Sequence, residues 1–251
     1  MWVDSHCHLF SLDERPDAVL DRAAAAGVSW VVIPGTDLES SLQARRIAEA
    51  EGTRARWAAG LHPHDATKWL VEGGRIEALG AEAIAIGECG LDFYRNLSPR
   101  EAQLDAFRAQ LQLAKQLHKP AIVHCRDAFA EVYAELEDAA MGERAILHCW
   151  TGGPRWTKRF RDLGVTFSFA GPLTFEGGET VRFGAAEAPP ERTMVETDTP
   201  YLTPPPNRRD LNEPANVVAV GAALADVWAM PVAEVARLTT ATASRVYGVE
   251  E

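Results

Sequence analysis

Eight short runs rich in apolar residues recur along this chain, and each is followed by a stretch long enough to hold a helix. The runs cover residues 2–3, 29–33, 56–61, 83–86, 121–123, 145–147, 165–169 and 192–195. Between them lie helical stretches such as 18–26, 38–51, 100–118, 127–140 and 154–163. In the third of these, Leu104, Phe107, Leu111 and Ala114 recur at helical spacing. Gly27, Gly164 and the turn Asn96-Leu97-Ser98-Pro99 stand where helices should stop and start. Alternating strand and helix demands a parallel sheet. Eight such units in 251 residues point to a closed (β/α)8 barrel, with an open doubly wound sheet as the alternative. With 47% hydrophobic residues and no linker or low-complexity segment, residues 1–251 read as a single domain. The cluster Thr203-Pro204-Pro205-Pro206-Asn207 follows the last run and reads as a rigid loop over the barrel mouth.

Barrel enzymes build their sites at the C-terminal ends of the strands. Those ends read His6-Cys7-His8, His62-Pro63-His64, Glu88-Cys89-Gly90, His124-Cys125-Arg126, His148-Cys149-Trp150 and Glu196-Thr197-Asp198. Six of the seven histidines fall there; His118, late in a helix, does not. His6 and His8, two apart on an extended chain, point to the same side. Each residue alone has an ordinary structural role open to it, such as a turn cap for Glu88 or an Asx turn for Asp198. Together, His6, His8, Glu88, His124, His148 and Asp198 converge on one mouth and predict a metal site. Four imidazoles and two carboxylates exceed the needs of one tetrahedral ion. Two divalent ions use them all, with Glu88 as the bridge between the two sides. Nitrogen and oxygen ligands suit Zn best by imidazole count, with Mg or Mn as alternatives.

Each of the four cysteines directly follows one of these residues: Cys7, Cys89, Cys125 and Cys149. Where the strand persists, such a residue points the other way, so buried packing is favoured over thiolate ligation. No C-x-x-C pair is present, which suggests a reduced, cytoplasmic protein. No apolar run approaches the ~20 residues of a membrane span, and no segment suggests an obligate protein partner. The net charge of −11 argues against a general affinity for polyanions, so a phosphate substrate must be drawn by metal ions and a few local arginines.

The motifs Asp4-Ser5-His6-Cys7-His8-Leu9, Gly60-Leu61-His62-Pro63-His64, Gly87-Glu88-Cys89-Gly90-Leu91-Asp92-Phe93-Tyr94-Arg95, His124-Cys125-Arg126-Asp127-Ala128, His148-Cys149-Trp150-Thr151-Gly152 and Glu196-Thr197-Asp198-Thr199-Pro200-Tyr201-Leu202 resemble, in order, those of the TatD-type metal-dependent hydrolases of the amidohydrolase superfamily. Asn212-Glu213-Pro214 fits the same pattern. The resemblance implies a (β/α)8 barrel and a dinuclear centre. His6, His8 and Asp198 would hold one ion, His124 and His148 the other, and Glu88 would bridge them. It also implies phosphodiester hydrolysis, as a deoxyribonuclease working from the 3′ end of DNA. Asp198 would accept a proton from the attacking water, with Glu88 and His62 completing the catalytic set. Arg95, Arg126 and His62 stand where they could contact the phosphate, and the arginines could instead pair with Asp92 or Asp127. Tyr201 and Trp150 are candidate stacking faces for bases or, equally, packing residues. The sequence departs from the family pattern at Arg208-Arg209-Asp210-Leu211, at Thr242 and at Trp150. The competing readings are a hydrolase of a carboxylic ester or amide, such as an aminoacyl-tRNA deacylase or an enzyme for a small cyclic amide, and a non-catalytic metal-binding protein.

Overall fold

The computed structural model describes residues 1–250. Its strands are β1 (Trp2–Asp4), β2 (Val28–Pro34), β3 (Ala55–Ala59), β4 (Ala85–Asp92), β5 (Ala121–Arg126), β6 (Ala145–Leu147), β7 (Thr166–Phe169) and β8 (Thr193–Val195). All pair in parallel, each with its neighbours in sequence. The seam between first and last strands closes just beyond their ends: Ser5 N donates to Val195 O (3.1 Å), Asp198 N to His6 O (3.0 Å) and His8 N to Thr199 O (2.8 Å). The Asp4 carboxylate reinforces it by accepting from Thr197 N (2.9 Å) and Thr197 Oγ1 (2.6 Å). The sheet is thus a (β/α)8 barrel rather than an open doubly wound sheet.

The helical layer comprises α1 (Pro16–Ala25), α2 (Leu38–Glu51), α3 (Trp69–Glu82), α4 (Arg100–Gln116), α5 (Phe129–Ala139), α6 (Pro154–Asp162), α7 (Glu179–Ala185), α8 (Val217–Trp228) and α9 (Val232–Tyr247). Their starts follow local chemistry. Asp37 caps α2 by accepting from Ser40 N (2.9 Å), while Pro16 and Pro154 occupy first helical positions that need no N–H. Helix α4 buries Phe107 and Leu111, each worth roughly 1.5–3 kcal/mol relative to exposure. It also buries two glutamines. Gln110 bonds both Leu61 N (2.8 Å) and Leu61 O (3.0 Å), and Gln103 accepts from Asp92 N (2.9 Å). These amides hold the chain where it leaves β3 toward His62 and where β4 ends. Among the described residues no single helix is long and apolar enough to cross a membrane.

Strand side chains divide between two apolar clusters. The larger, including Val31, Trp57, Val123, Leu147 and Phe167, packs with the helices. The smaller, including Val3, Val32, Ala58, Ile122, Ile146 and Met194, packs with Tyr247 of α9. His124, His148 and Glu196 each stand two residues beyond Ile122, Ile146 and Met194. The smaller cluster is therefore the floor beneath those polar side chains.

β4 and β5 both run well past the ends expected from sequence, β5 to Arg126 rather than Val123. β4 continues through Asp92, so Glu88 and Cys89 lie within it rather than past its end. Glycines that read as turn signals are instead sites of close approach. A Cβ on Gly90 (φ 131°) would lie 2.1 Å from His124 O on β5. Gly90→Ala is expected to cost roughly 3 kcal/mol through backbone strain and the clash, read as a lowered urea midpoint. An unchanged midpoint would show that β4 and β5 are not held this close.

Candidate metal centre

Six side chains converge above that floor. Glu88 Oε2 lies 3.3 Å from His6 Nε2 and 3.4 Å from His8 Nε2. Its other oxygen, Oε1, lies 2.9 Å from both His124 Nδ1 and His148 Nε2. Asp198 Oδ1 lies 3.7 Å from the Nε2 atoms of both His6 and His8. The carboxylate thus divides its oxygens between two histidine pairs, one of which is joined by Asp198. His6, His8 and Asp198 form one group of donors able to hold a cation; His62, Glu88 and His124 form another, and His6, His148 and Glu196 a third.

The imidazole tautomers suit a cation. His8 Nδ1 lies 3.1 Å from Pro34 O, a carbonyl that can only accept, so His8 carries its proton there and aims a lone pair inward from Nε2. His148 Nδ1 likewise faces Glu196 Oε1 at 3.2 Å. Such outer partners orient metal-binding histidines. With His8 Nε2 unprotonated, His6 Nε2 3.1 Å away can satisfy it only through a proton or a shared cation. The donor set therefore fits divalent metal ions.

Electrostatics agree. Burial alone would raise the Glu88 pKa, but His148 and His62, with hydrogen bonds from His124 and His148, hold it well below the usual carboxylate range. Burial pushes His6 down to about 4, helped by His148. Burial pushes Asp198 up to about 6, against the lowering pull of His148 and His8. Burial opposes the charged imidazole throughout, but Glu88 and its neighbouring carboxylates hold His8, His124 and His148 above the ordinary imidazole value, so a cation binding at those nitrogens would displace protons. Asp198 is held in the left-handed region (φ 59°), a conformation aspartate tolerates better than most residues.

His62 also joins the cluster. Its Nδ1 accepts from His64 N (3.2 Å), which leaves the proton of the neutral ring on Nε2, 3.2 Å from Glu88 Oε1. This makes it a donor to the carboxylate rather than a fifth imidazole ligand. His64 pairs with Asp92 at 2.7 Å. Asp92 accepts in addition from the backbone N–H groups of Tyr94 and Arg95. Arg95 is exposed on the loop beyond β4, and Arg126 is the exposed last residue of β5. Among the described residues neither forms an ion pair, with Asp92 and Asp127 or any other acid; the Arg126 guanidinium lies over the Tyr94 ring at 4.2 Å. Trp150 is no stacking face: it is buried, its Nε1 donates to Thr157 Oγ1 (2.8 Å), and it packs on Phe160. Tyr201 is exposed.

Three of the four cysteines face away from the donors. Cys7 and Cys89 belong to the helix-side cluster, with Cys125 packed against it. Cys7 Sγ donates to Val32 O and Cys89 Sγ to Ile122 O, both at 3.5 Å. Burial pushes the Cys89 and Cys125 thiols well above the ordinary thiol value. Replacing Cys7, Cys89 or Cys125 with serine is expected to leave metal content unchanged. A fall in bound metal in a folded variant would assign that thiol to the centre.

Sequence reasoning assigned no role to Glu196 or Asn212. Glu196 accepts from Cys149 N (2.6 Å) besides facing His148. Its spacing of two residues from Asp198 was the available signal. Asn212 Nδ2 donates to Thr197 O (2.9 Å) and Tyr201 O (2.7 Å), so it braces both flanks of Asp198.

Comparison with known proteins agrees with this geometry. The family model described as TatD related DNase matches residues 3–248. An Escherichia coli K12 protein named as an uncharacterized metal-dependent hydrolase, YcfH, is 35% identical over 255 residues, covering 99% of this chain and 96% of its own. A Citrobacter rodentium protein named 3′-5′ ssDNA/RNA exonuclease TatD is 38% identical over 246 residues, covering 93% of this chain and 92% of its own. The crystal structure of YJJV, a TatD homolog from E. coli K12, superposes with a TM-score of 0.89 at 25% identity, over 99% of this chain and 98% of that one. The chain belongs to the TatD related DNase family, metal-dependent hydrolases that act on ester bonds.

Proposed function

We propose that this protein is a 3′–5′ exonuclease for single-stranded DNA, working in the cytoplasm with two divalent ions, Zn by preference and Mg or Mn as alternatives. The observation that carries the reading is Glu88, whose two oxygens address separate histidine pairs. The family relative named as an ssDNA/RNA exonuclease supports the choice of substrate. His6, His8 and Asp198 would hold one ion, His124 and His148 the other, and Glu88 both. When bound, the ions supply Lewis acidity at a phosphoryl oxygen and lower the pKa of water toward neutrality. Asp198 accepts the proton released by the attacking water. His62, with its proton on Nε2, steadies Glu88 or donates to a phosphate oxygen. Arg95 and Arg126, free of acidic partners among the described residues, can place their guanidinium forks on the phosphate. All four thiols are free, in keeping with a reducing compartment.

The net charge of −11 favours a second reading, hydrolysis of a carboxylic ester or amide at the same centre. The test is metal-reconstituted turnover on 3′-labelled single-stranded DNA, beside an aminoacyl-tRNA and a dihydroorotate-like cyclic amide. Mononucleotide release from the labelled end, lost on chelation and restored by a divalent ion, is the expected result. Turnover of either carbonyl substrate with intact DNA would replace the nuclease reading.

A further inference from the structure

The protein holds a groove of about 600 Å³ that the chemistry above does not use. One wall is the turn Gly171–Thr174 after β7 with the chain leading into α7; the other is the loop after β8. Both walls leave the C-terminal ends of their strands, so the groove opens on the same face as the metal-binding donors. The walls abut directly. A Cβ on Gly171 would lie 1.8 Å from Leu202 O, in the loop that carries Asp198.

The lining is apolar, with Pro172, Phe175, Val181 and Pro205, one cation, Arg208, and one acid, Glu176. The Arg208 guanidinium stacks on the Phe175 ring, 3.3 Å from its centroid. Arg208 and Arg209 are exposed and form no ion pair among the described residues, whereas Arg22, Arg45, Arg54, Arg108 and Arg245 all do. A flat aromatic and guanidinium stack with uncommitted positive charge is the chemistry that holds a base and its phosphate. The Arg126–Tyr94 stack, at 4.2 Å, stands at the end of β5 and on the loop after β4, across the barrel mouth.

We propose that the Arg208–Phe175 groove is a subsite for one nucleotide of a single-stranded polynucleotide, outside the nucleotide at the metal centre. The stacked pair carries the base, and Arg208 with Arg209 neutralises the adjacent phosphate. The proposal rests on the nuclease reading above. A small ester at the metal centre does not extend into the groove, so the subsite acts on polymers alone.

The test uses the metal-loaded enzyme and its variants Phe175→Ala, Arg208→Ala and Arg208→Lys. Each is assayed on a single-stranded oligodeoxynucleotide and on bis(p-nitrophenyl) phosphate. The ratio of kcat/KM on the oligonucleotide to that on the small diester is expected to fall about 10-fold in Phe175→Ala and in Arg208→Ala. The slope of log Kd against log salt is expected to fall by about 0.7 in Arg208→Ala and to recover in Arg208→Lys. Unchanged ratios in variants of an enzyme that degrades the oligonucleotide would overturn the groove alone. A wild-type enzyme that turns over the small diester yet neither binds nor degrades the oligonucleotide would overturn the groove and the nuclease reading together.

Discussion

Glu88→Ala is expected to lower turnover by at least about 10³-fold and to remove most bound metal while the barrel still folds. Loss of an outer partner of a metal ligand costs only about 10–100-fold, and Glu88 is the group that both histidine pairs face. Its removal takes the one carboxylate within 3.4 Å of His6, His8, His124 and His148 together. Those histidines then face one another with no anion between them, and His148, whose pKa Glu88 raises against burial, loses the largest support for its charge. Folding survives because the floor residues and the seam bonds do not involve Glu88. Metal content by plasma mass spectrometry, turnover and circular dichroism check this together. A folded variant with two ions per chain and near-normal turnover would remove Glu88 from the bridging role.

The second large effect is expected for Asp198→Asn. General acid–base groups contribute typically about 10²–10⁴-fold, and asparagine keeps the shape of Asp198 while losing its charge and its capacity to take a proton. Asparagine also tolerates the left-handed backbone found here, so the loop braced by Asn212 is undisturbed. The fall should lie mainly in kcat, with KM for the substrate changing far less. With excess metal, the acidic limb of the kcat profile should also shift or vanish. Equal activity of the two proteins at saturating metal would place the proton acceptor elsewhere.

The alternation of strands and helices was plain in the sequence because period and punctuation agree there. The ligand-type residues were equally plain, because packing alone rarely calls for an imidazole at one strand end after another. Three features were hidden for physical reasons. Gly87 and Gly90 looked like the end of β4, since a glycine needed for close approach reads like a turn glycine. Gln103 and Gln110 lie off the Leu104–Phe107–Leu111–Ala114 repeat, so periodicity gives them no role, although their amides hold the chain at Asp92 and Leu61. Trp150 offered an aromatic at a strand end, and only packing reveals that its ring lies beneath the surface against Phe160 and Phe167. Periodicity sees which way a side chain points, not what waits for it across the barrel.

The Asp4–Thr197 seam also orders events in time. The two hydrogen bonds span 193 residues, and the metal-binding group His6, His8 and Asp198 straddles the same join. Contacts so distant in the chain close late, after the loop entropy between them has been spent. A nascent chain emerging from the ribosome therefore holds the first two histidines long before the aspartate that completes them. Hydrolytic competence arrives with the last strand, so a partly made chain remains inert.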